Sequence, residues 1–351
     1  LTFPLIIATG TQKEIIAARK YIITLIICSL GLFLPAIIII YYFTGGATFA
    51  IGGALKSSNI SPLIAIIVFL MFMYGIAKTA IMPVHFWLPS AMAAPIPVSG
   101  LLHAVAVVKS GLLILLKIFI YIYGIDYLIT ISTFLKGVNF FTILCGISVL
   151  LSAIFAVYQT NIKRLLAYST INHLSICALS ALMFSAAGIK AAVIHMIGHA
   201  ISKLSLFFAT GILESKYGIT KINDLKGLVN RSKTLALIFS LTTISMIGLP
   251  PLAGFVGKAY IFYAAISENT DYFILTVLMI SILLSVGYFS PLIYNIYFDN
   301  AKIKQNIFLK TNKQIFEIII KWTTILGCIC IVFYFFCFPF LIKFLDKIQF
   351  L

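Results

Sequence analysis

Five lysines fall inside long apolar runs of this chain, at Lys78, Lys109, Lys117, Lys203 and Lys258. An ammonium near the centre of a membrane helix costs roughly 2.5–3.5 kcal/mol on insertion scales, which makes such a residue a functional candidate. Lys117 stands close to the end of its run, where the alkyl stem can carry the amine to the headgroups. Lys109 and Lys203 are central and cannot easily reach either surface. Withdrawal from water disfavours the charged form of an amine, so a buried lysine can take up and release a proton near neutral pH. His195, His199 and Lys203 repeat at i, i+4 and i+8 and form one stripe along a helix face. His103 precedes Lys109 by six residues, out of register with it on a regular helix. A row of such groups is a proton relay. His195 and His199 lack the glutamate and third ligand of a metal site. No interior carboxylate balances the lysines: Glu214 stands at the end of an apolar run and the other acids fall in connecting segments.

These residues need helices in lipid to hold them. The 351 residues are 62% hydrophobic and 10% charged, with a mean hydropathy of +1.13. A soluble domain is roughly 25% charged, so there is too little polar surface here to cover a globule in water. Nine runs approach the roughly 20 residues that a hydrocarbon core requires: Tyr21–Phe43, Ser61–Met82, Val98–Tyr123, Val138–Thr160, Leu165–Ala186, Ile189–Glu214, Thr234–Ser267, Tyr272–Tyr297 and Trp322–Ile342. No linker divides them. The expected fold is all-α, a polytopic transmembrane helical bundle forming a single domain over residues 1–351. The six cysteines sit singly in apolar runs or share one span without His or carboxylate, and read as small core residues.

The net charge of +16 would suit nucleic acid on a soluble face, but its placement follows the membrane instead. With nine alternating spans, fifteen Lys and Arg residues fall on one side, from Lys13 and Arg19 through Lys163 and Arg164 to Lys321. Lys56, Lys136, Lys190, Lys343 and Lys347 fall on the other. By the positive-inside rule the chain starts in the cytoplasm and its C-terminus lies on the opposite side. Two spans are interrupted. Lys78 is followed by Pro83, Pro89, Pro95 and Pro97, and Lys258 is preceded by Pro250, Pro251, Gly254 and Gly257. Proline removes a backbone donor, and at membrane depth the freed groups survive only against protein or a water-filled cavity. The broken spans are the second and seventh, an odd separation that sets them in opposite orientation, as in an inverted repeat.

The residues at these breaks resemble a family. Gly75 to Lys78 and Met82-Pro83-Val84-His85-Phe86-Trp87-Leu88-Pro89, with His103 and Val107-Val108-Lys109-Ser110-Gly111, are similar to the antiporter-like subunits. These membrane chains are shared by respiratory complex I, membrane hydrogenases and Mrp-type multisubunit cation/proton antiporters. Lys163-Arg164-Leu165-Leu166-Ala167-Tyr168-Ser169-Thr170, His195-Met196-Ile197-Gly198-His199 with Lys203, and the run from Gly248 through Pro250 and Pro251 to Lys258 extend the resemblance. It covers about Leu1 to Tyr297. It implies two inverted five-helix repeats, of which residues 20–123 are the remainder of the first and 138–297 the second, with 298–351 a connector and last helix. It implies that Lys78, Lys109, His195, His199, Lys203 and Lys258 form a hydrated row of proton-transfer groups, with His103 and His173 supporting. Pro83, Pro95, Pro250 and Pro251 then mark the two helix breaks. Phe86-Trp87-Leu88-Pro89, Ala104 to Lys109 and Ile222 to Leu228 lean towards a D-like Mrp chain, with a complex I chain close behind.

By the same resemblance the family's first five helices are missing here, and with them the glutamate that pairs with Lys78. Asn161 replaces a commonly acidic residue, and His173 is a second departure. The expected function is therefore a proton-translocating, non-redox subunit of a multisubunit Na⁺/K⁺:proton antiporter in a bacterial or organellar inner membrane. The alternatives are a proton-pumping chain of an NADH-quinone oxidoreductase or membrane hydrogenase, and an inactive fragment of a split gene. Its partners would be other membrane subunits, the lipid bilayer, protons and Na⁺ or K⁺, with no nucleic acid. The sequence holds no GxGxxG, Walker-type loop or iron–sulfur cysteine cluster, so no cofactor is expected.

Overall fold

The computed structural model describes residues 3–7, 10–46, 49, 52–134, 139–267, 272–298 and 314–347. Among them the fold is carried by α1 (Gln12–Thr44), α2 (Pro62–Gly75), α3 (Ile96–Tyr123), α4 (Phe140–Val157) and α5 (Ile162–Ala181), followed by α6 (Ala186–Tyr217), α7 (Lys233–Ile247), α8 (Ala253–Ser267), α9 (Tyr272–Tyr297) and α10 (Gln314–Asp346). The described residues contain no strand beyond one isolated bridge between Asn161 and Lys221. In lipid each helix must satisfy its first N–H groups internally. Thr11, Ser61, Asn139, Asn161, Ser185 and Ser232 do so, each accepting a first-turn backbone N–H through its side chain.

Helices occupy all nine expected segments, yet among the described residues only six, α1, α3, α4, α6, α9 and α10, are long and apolar enough to cross a membrane. The difference is physical. α2 and α7 are apolar but short, because each ends at a break. The long Thr234–Ser267 run is two helices, α7 and α8, with Pro250 and Pro251 in the turn between them. α5 has the length but not the apolarity, since it is wrapped by neighbours and most of its residues are buried. A helix enclosed by protein needs no lipid-soluble surface.

Two long helices pass through π turns, at Ser29–Phe33 in α1 and at Leu101–Val105 and Ile118–Tyr123 in α3. The first precedes Pro35, whose missing N–H and bulk disrupt the preceding turn. The second contains His103. A π turn winds more slowly than an α turn, and His103 and Lys109 are both buried although a regular helix would separate them. The carboxylate reading also needs correction. Glu14 lies inside α1, in its first turn, and is buried, because the helix starts nine residues before the apolar run it carries. A carboxylate there meets the positive end of the helix dipole.

α6 is the central element. It packs against α5, α7, α8, α10 and the start of α3, while α4 covers α5 and α9 lies on α4. The outer helices α1 and α10 turn large apolar side chains outwards, among them Ile27, Leu30 and Ile38 on α1 and Phe333, Phe336 and Phe340 on α10. Surfaces of that extent belong in acyl chains. Each of the three salt bridges among the described residues, Lys56–Asp126, Lys163–Glu214 and Lys190–Asp346, joins segments that the alternation places on one face. Lys136, Lys302, Lys304, Lys310 and Lys313 lie outside the described residues.

Candidate functional site

The site is built where α5 and α6 lie antiparallel. Their N-caps, Asn161 and Ser185, start the two helices from opposite ends. The α6 stripe of His195, His199 and Lys203 therefore meets a second stripe of the same spacing on α5, Ser169, His173 and Cys177, running the other way. Lys203 Nζ donates to Ser169 Oγ at 2.8 Å. The rings of His199 and His173 lie 4.9 Å apart. His173 Nδ1 and His195 Nε2 share a hydrogen bond of 3.0 Å, and their rings stack at 5.2 Å. From α3, Lys109 Nζ donates to His199 Nδ1 at 2.7 Å. All these side chains are buried.

Lys258 joins from the second break. α7 stops at Ile247, where Gly248 takes a left-handed conformation with φ +96, and the chain turns through Pro250 and Pro251 into α8. The Lys258 ammonium folds back onto the end of α7, donating to Ile247 O at 2.6 Å and Met246 O at 3.4 Å. Terminal carbonyls of a helix carry its negative partial charge, so a cation sits well there. At Gly257 a Cβ would overlap the His195 side chain, so this glycine lets α8 approach α6 and brings Lys258 beside His195.

The first break is different. After α2 the chain passes through short turns at Ala77–Thr79, Trp87–Ser90 and Ala91–Ala93, with Pro83 between them and Pro95 capping α3. Trp87 Nε1 donates to Ala77 O at 2.9 Å and pins this stretch together. Lys78 is half-buried and has no hydrogen-bond or ion-pair partner among the described residues. It borders a cavity of about 490 Å³ between α1, the end of α2 and α3, lined by Leu25, Ile26, Ser29, Leu30 and Phe33. α3 packs closely against the break, since a Cβ at Gly111 would lie 2.8 Å from Lys78 Cβ.

Of the expected residues, the structure thus brings Lys109, His199, His173 and His195 into one contact chain with Lys258 beside it. It bonds Lys203 to Ser169 on the neighbouring stretch of the same two helices and leaves Lys78 outside. His103 is fully buried with both ring nitrogens unpartnered, its ring 5.6 Å from Phe207. His173 moves from a supporting place to the centre. Ser169 was not anticipated, nor was Tyr288 of α9, which sits beside it. The signal was present as the i, i+4, i+8 spacing of Ser169, His173 and Cys177. Among the described residues no group of three or more His, Cys, Asp or Glu side chains is arranged for a metal ion.

A family model described as NADH:quinone oxidoreductase/Mrp antiporter, transmembrane, matches residues 1–285. The chain is 35% identical over 223 residues to the A/B subunit of a probable K⁺/H⁺ antiporter of Rhizobium meliloti, covering 64% of this chain and 21% of that protein. It is 32% identical over 212 residues to the N subunit of NADH-quinone oxidoreductase of Rickettsia felis, covering 60% and 44%. The chain thus spans less than half the length of these curated relatives. Its fold is similar to a chain of respiratory complex I from Thermus thermophilus with bound NADH, with a TM-score of 0.80 at 19% identity, over 99% of this chain and 70% of that one.

Proposed function

This chain belongs to the NADH:quinone oxidoreductase/Mrp antiporter membrane family, and on that premise we propose that it moves protons as an ion-translocating subunit of a larger membrane complex. The observation that carries this reading is the buried chain Lys109–His199–His173–His195, which reaches from α3 across α6 and α5 to Lys258 at the second break. Its groups are all protonatable: Lys109–His199 and His173–His195 are hydrogen-bonded, and the His199 and His173 rings lie 4.9 Å apart. His103, His173 Nε2, His195 Nδ1 and His199 Nε2 are buried polar nitrogens without a protein partner. Such groups in native proteins are met by ordered water, which would make this row a hydrated path.

Lys78 stands outside this row, at the first break. Its open cavity suits a carboxylate-bearing helix supplied by another segment or another chain, as the family resemblance implies. Residues 20–123 and 138–297 form the two inverted repeats in this reading, one around each break. The basic face, with Lys163 and Arg164, is the cytoplasmic one, so the chain enters from the cytoplasm.

The assembly is a monovalent cation:proton antiporter of the Mrp type, supported by the 35% identity to the K⁺/H⁺ antiporter chain. A second reading, a proton-pumping chain of an NADH-quinone oxidoreductase, draws on the similarity to the N subunit of that enzyme. The buried row has the same work in both. Replacing Lys203 with Ala is expected to abolish coupled pH-gradient formation in membrane vesicles while the complex still assembles. Unchanged transport would remove Lys203 from the path. Co-purification with flavin and iron–sulfur subunits would select the second reading.

A further inference from the structure

The second break holds a cation already, in the form of a tethered one. Lys258 Nζ lies against the last carbonyls of α7, Ile247 O and Met246 O, in an enclosed position where the residue is only 4% exposed. Those carbonyls have no partner further along the helix, because α7 ends and Gly248 turns the chain away. Ser245 and Ser202 add a pair of buried hydroxyls, hydrogen-bonded at 2.8 Å, on the same end of α7 and the facing turn of α6. A second, independent feature points at this place. His195 Nδ1 is buried without a partner, and it lies against Gly257, the residue preceding Lys258.

We propose that the carbonyl end of α7 is an exchange site for a monovalent alkali cation, in which Na⁺ or K⁺ takes the place of the Lys258 proton. The exchange balances in charge. The Lys258 ammonium releases one proton towards His195, leaving a neutral amine with a free lone pair. One alkali cation then enters, held by the Ile247 and Met246 carbonyls, the dipole end of α7 and that amine. In the tautomer where His195 Nε2 donates to His173 Nδ1, His195 Nδ1 keeps its lone pair and can accept the proton. As His195 Nδ1 takes that proton, its Nε2 proton passes across the 3.0 Å bond to His173 Nδ1 and on along the row, so the break exchanges one positive charge for another. Discontinuous helices elsewhere present half-helix C-terminal ends to small cations for the same electrostatic reason.

The surroundings favour a swap over simple co-binding. The titratable groups acting on this position are His195 of α6 and, next to it, His173 of α5. α9 carries no charged residue and Lys233 of α7 stands at the opposite end of that helix, while Lys190 of α6 and Asp346 of α10 pair with each other at 2.7 Å and act on Tyr260, two residues along α8 from Lys258. Asp346 is already paired with Lys190, so among the described residues no free carboxylate neutralises two cations here, and the ammonium and the ion exclude each other. This assignment rests on the ion-translocating reading and names the place where the transported cation binds.

The test is equilibrium binding of ²²Na⁺, with K⁺ as competitor, to membranes containing the full chain in its complex, without any gradient. The wild-type chain is expected to bind more tightly as pH rises, by about tenfold per pH unit, the slope of one proton displaced per ion. Lys258→Ala leaves the carbonyls vacant and is expected to bind with little pH dependence. Lys258→Arg keeps a permanent charge in the cradle and is expected to lose binding at every pH. Wild-type binding that does not change with pH overturns the proposal, as does Lys258→Arg binding like wild type. Should Lys258→Ala fail to assemble, the wild-type titration and Lys258→Arg decide it between them. Because no proton gradient is measured, this result is independent of whether Lys203→Ala abolishes transport.

Discussion

The two breaks in this bundle carry the same residue and treat it in opposite ways. At the second, Lys258 is enclosed, bonded to two carbonyls and flanked by a histidine. At the first, Lys78 is half-buried, borders an open apolar cavity and bonds to nothing among the described residues. Both breaks are made by proline, so proline does not set the difference. What sets it is the number of helices packed around the break. α8 is held by α6, α7, α9 and α10, whereas the turns around Lys78 are covered by α3 and α5 on one side and by the outer helix α1 on the other. A break surrounded by protein can spend its freed carbonyls on an internal cation. One at the rim needs a partner from elsewhere.

The largest test of that difference is steric. At Gly257 an added Cβ would meet both the backbone and the ring of His195, neither of which can move without shifting α6. Gly257→Ala is expected to cost about 3 kcal/mol, the upper range for overpacking a core, read as a lower melting temperature of the purified complex. The matching change at the rim, Ile26→Ala, removes a side chain that is 48% exposed and should stay within about 0.5 kcal/mol. Equal losses from the two variants would mean that the rim is as closely packed as the centre.

A smaller effect separates the two lysines themselves. Lys258→Met removes the donor from Ile247 O and strands that carbonyl in an enclosed place, at about 1–3 kcal/mol for an unsatisfied buried group. Lys78→Met removes an ammonium that no described group satisfies, and is expected to leave the melting temperature unchanged or raise it. The comparison fails if Lys78→Met is the more damaging of the two. In that case Lys78 is already paired in the membrane, by a segment beyond the described residues.

Much of this was legible in the residues. The apolar runs and proline clusters locate the helices and both breaks, because lipid leaves few other ways to satisfy a backbone. The i, i+4, i+8 spacing places His195, His199 and Lys203 on one face, and that face is the one that pairs. What could not be read is which helix faces which. The contact between Lys109 and His199 spans 90 positions, and that between His173 and His195 depends on α5 lying antiparallel against α6. The π turn at His103 was equally hidden, since winding is decided by packing against Phe207 and its neighbours and not by residue type. Glu14 was misplaced for a simpler reason: a helix can begin well before its apolar run does.

The smallest expected effect lies furthest from both breaks and calibrates the others. Lys163 and Glu214 form a salt bridge of 2.8 Å where α5 begins and α6 nears its end, with side chains 16% and 34% exposed. This pair ties together the ends of the two helices that hold the central stripes, so it is the obvious place for a remote influence on their register. Partly solvated pairs of this kind contribute only about 0–1 kcal/mol, because each ion keeps much of its hydration and long side chains lose entropy when held. Lys163→Gln should therefore lower the melting temperature little, and transport should be unchanged, since the Lys203–Ser169 bond lies further along both helices. Loss of transport with retained stability would show that the α5–α6 register is set at its rim. The tight contacts around Lys258 would then be a consequence of that alignment instead of its cause.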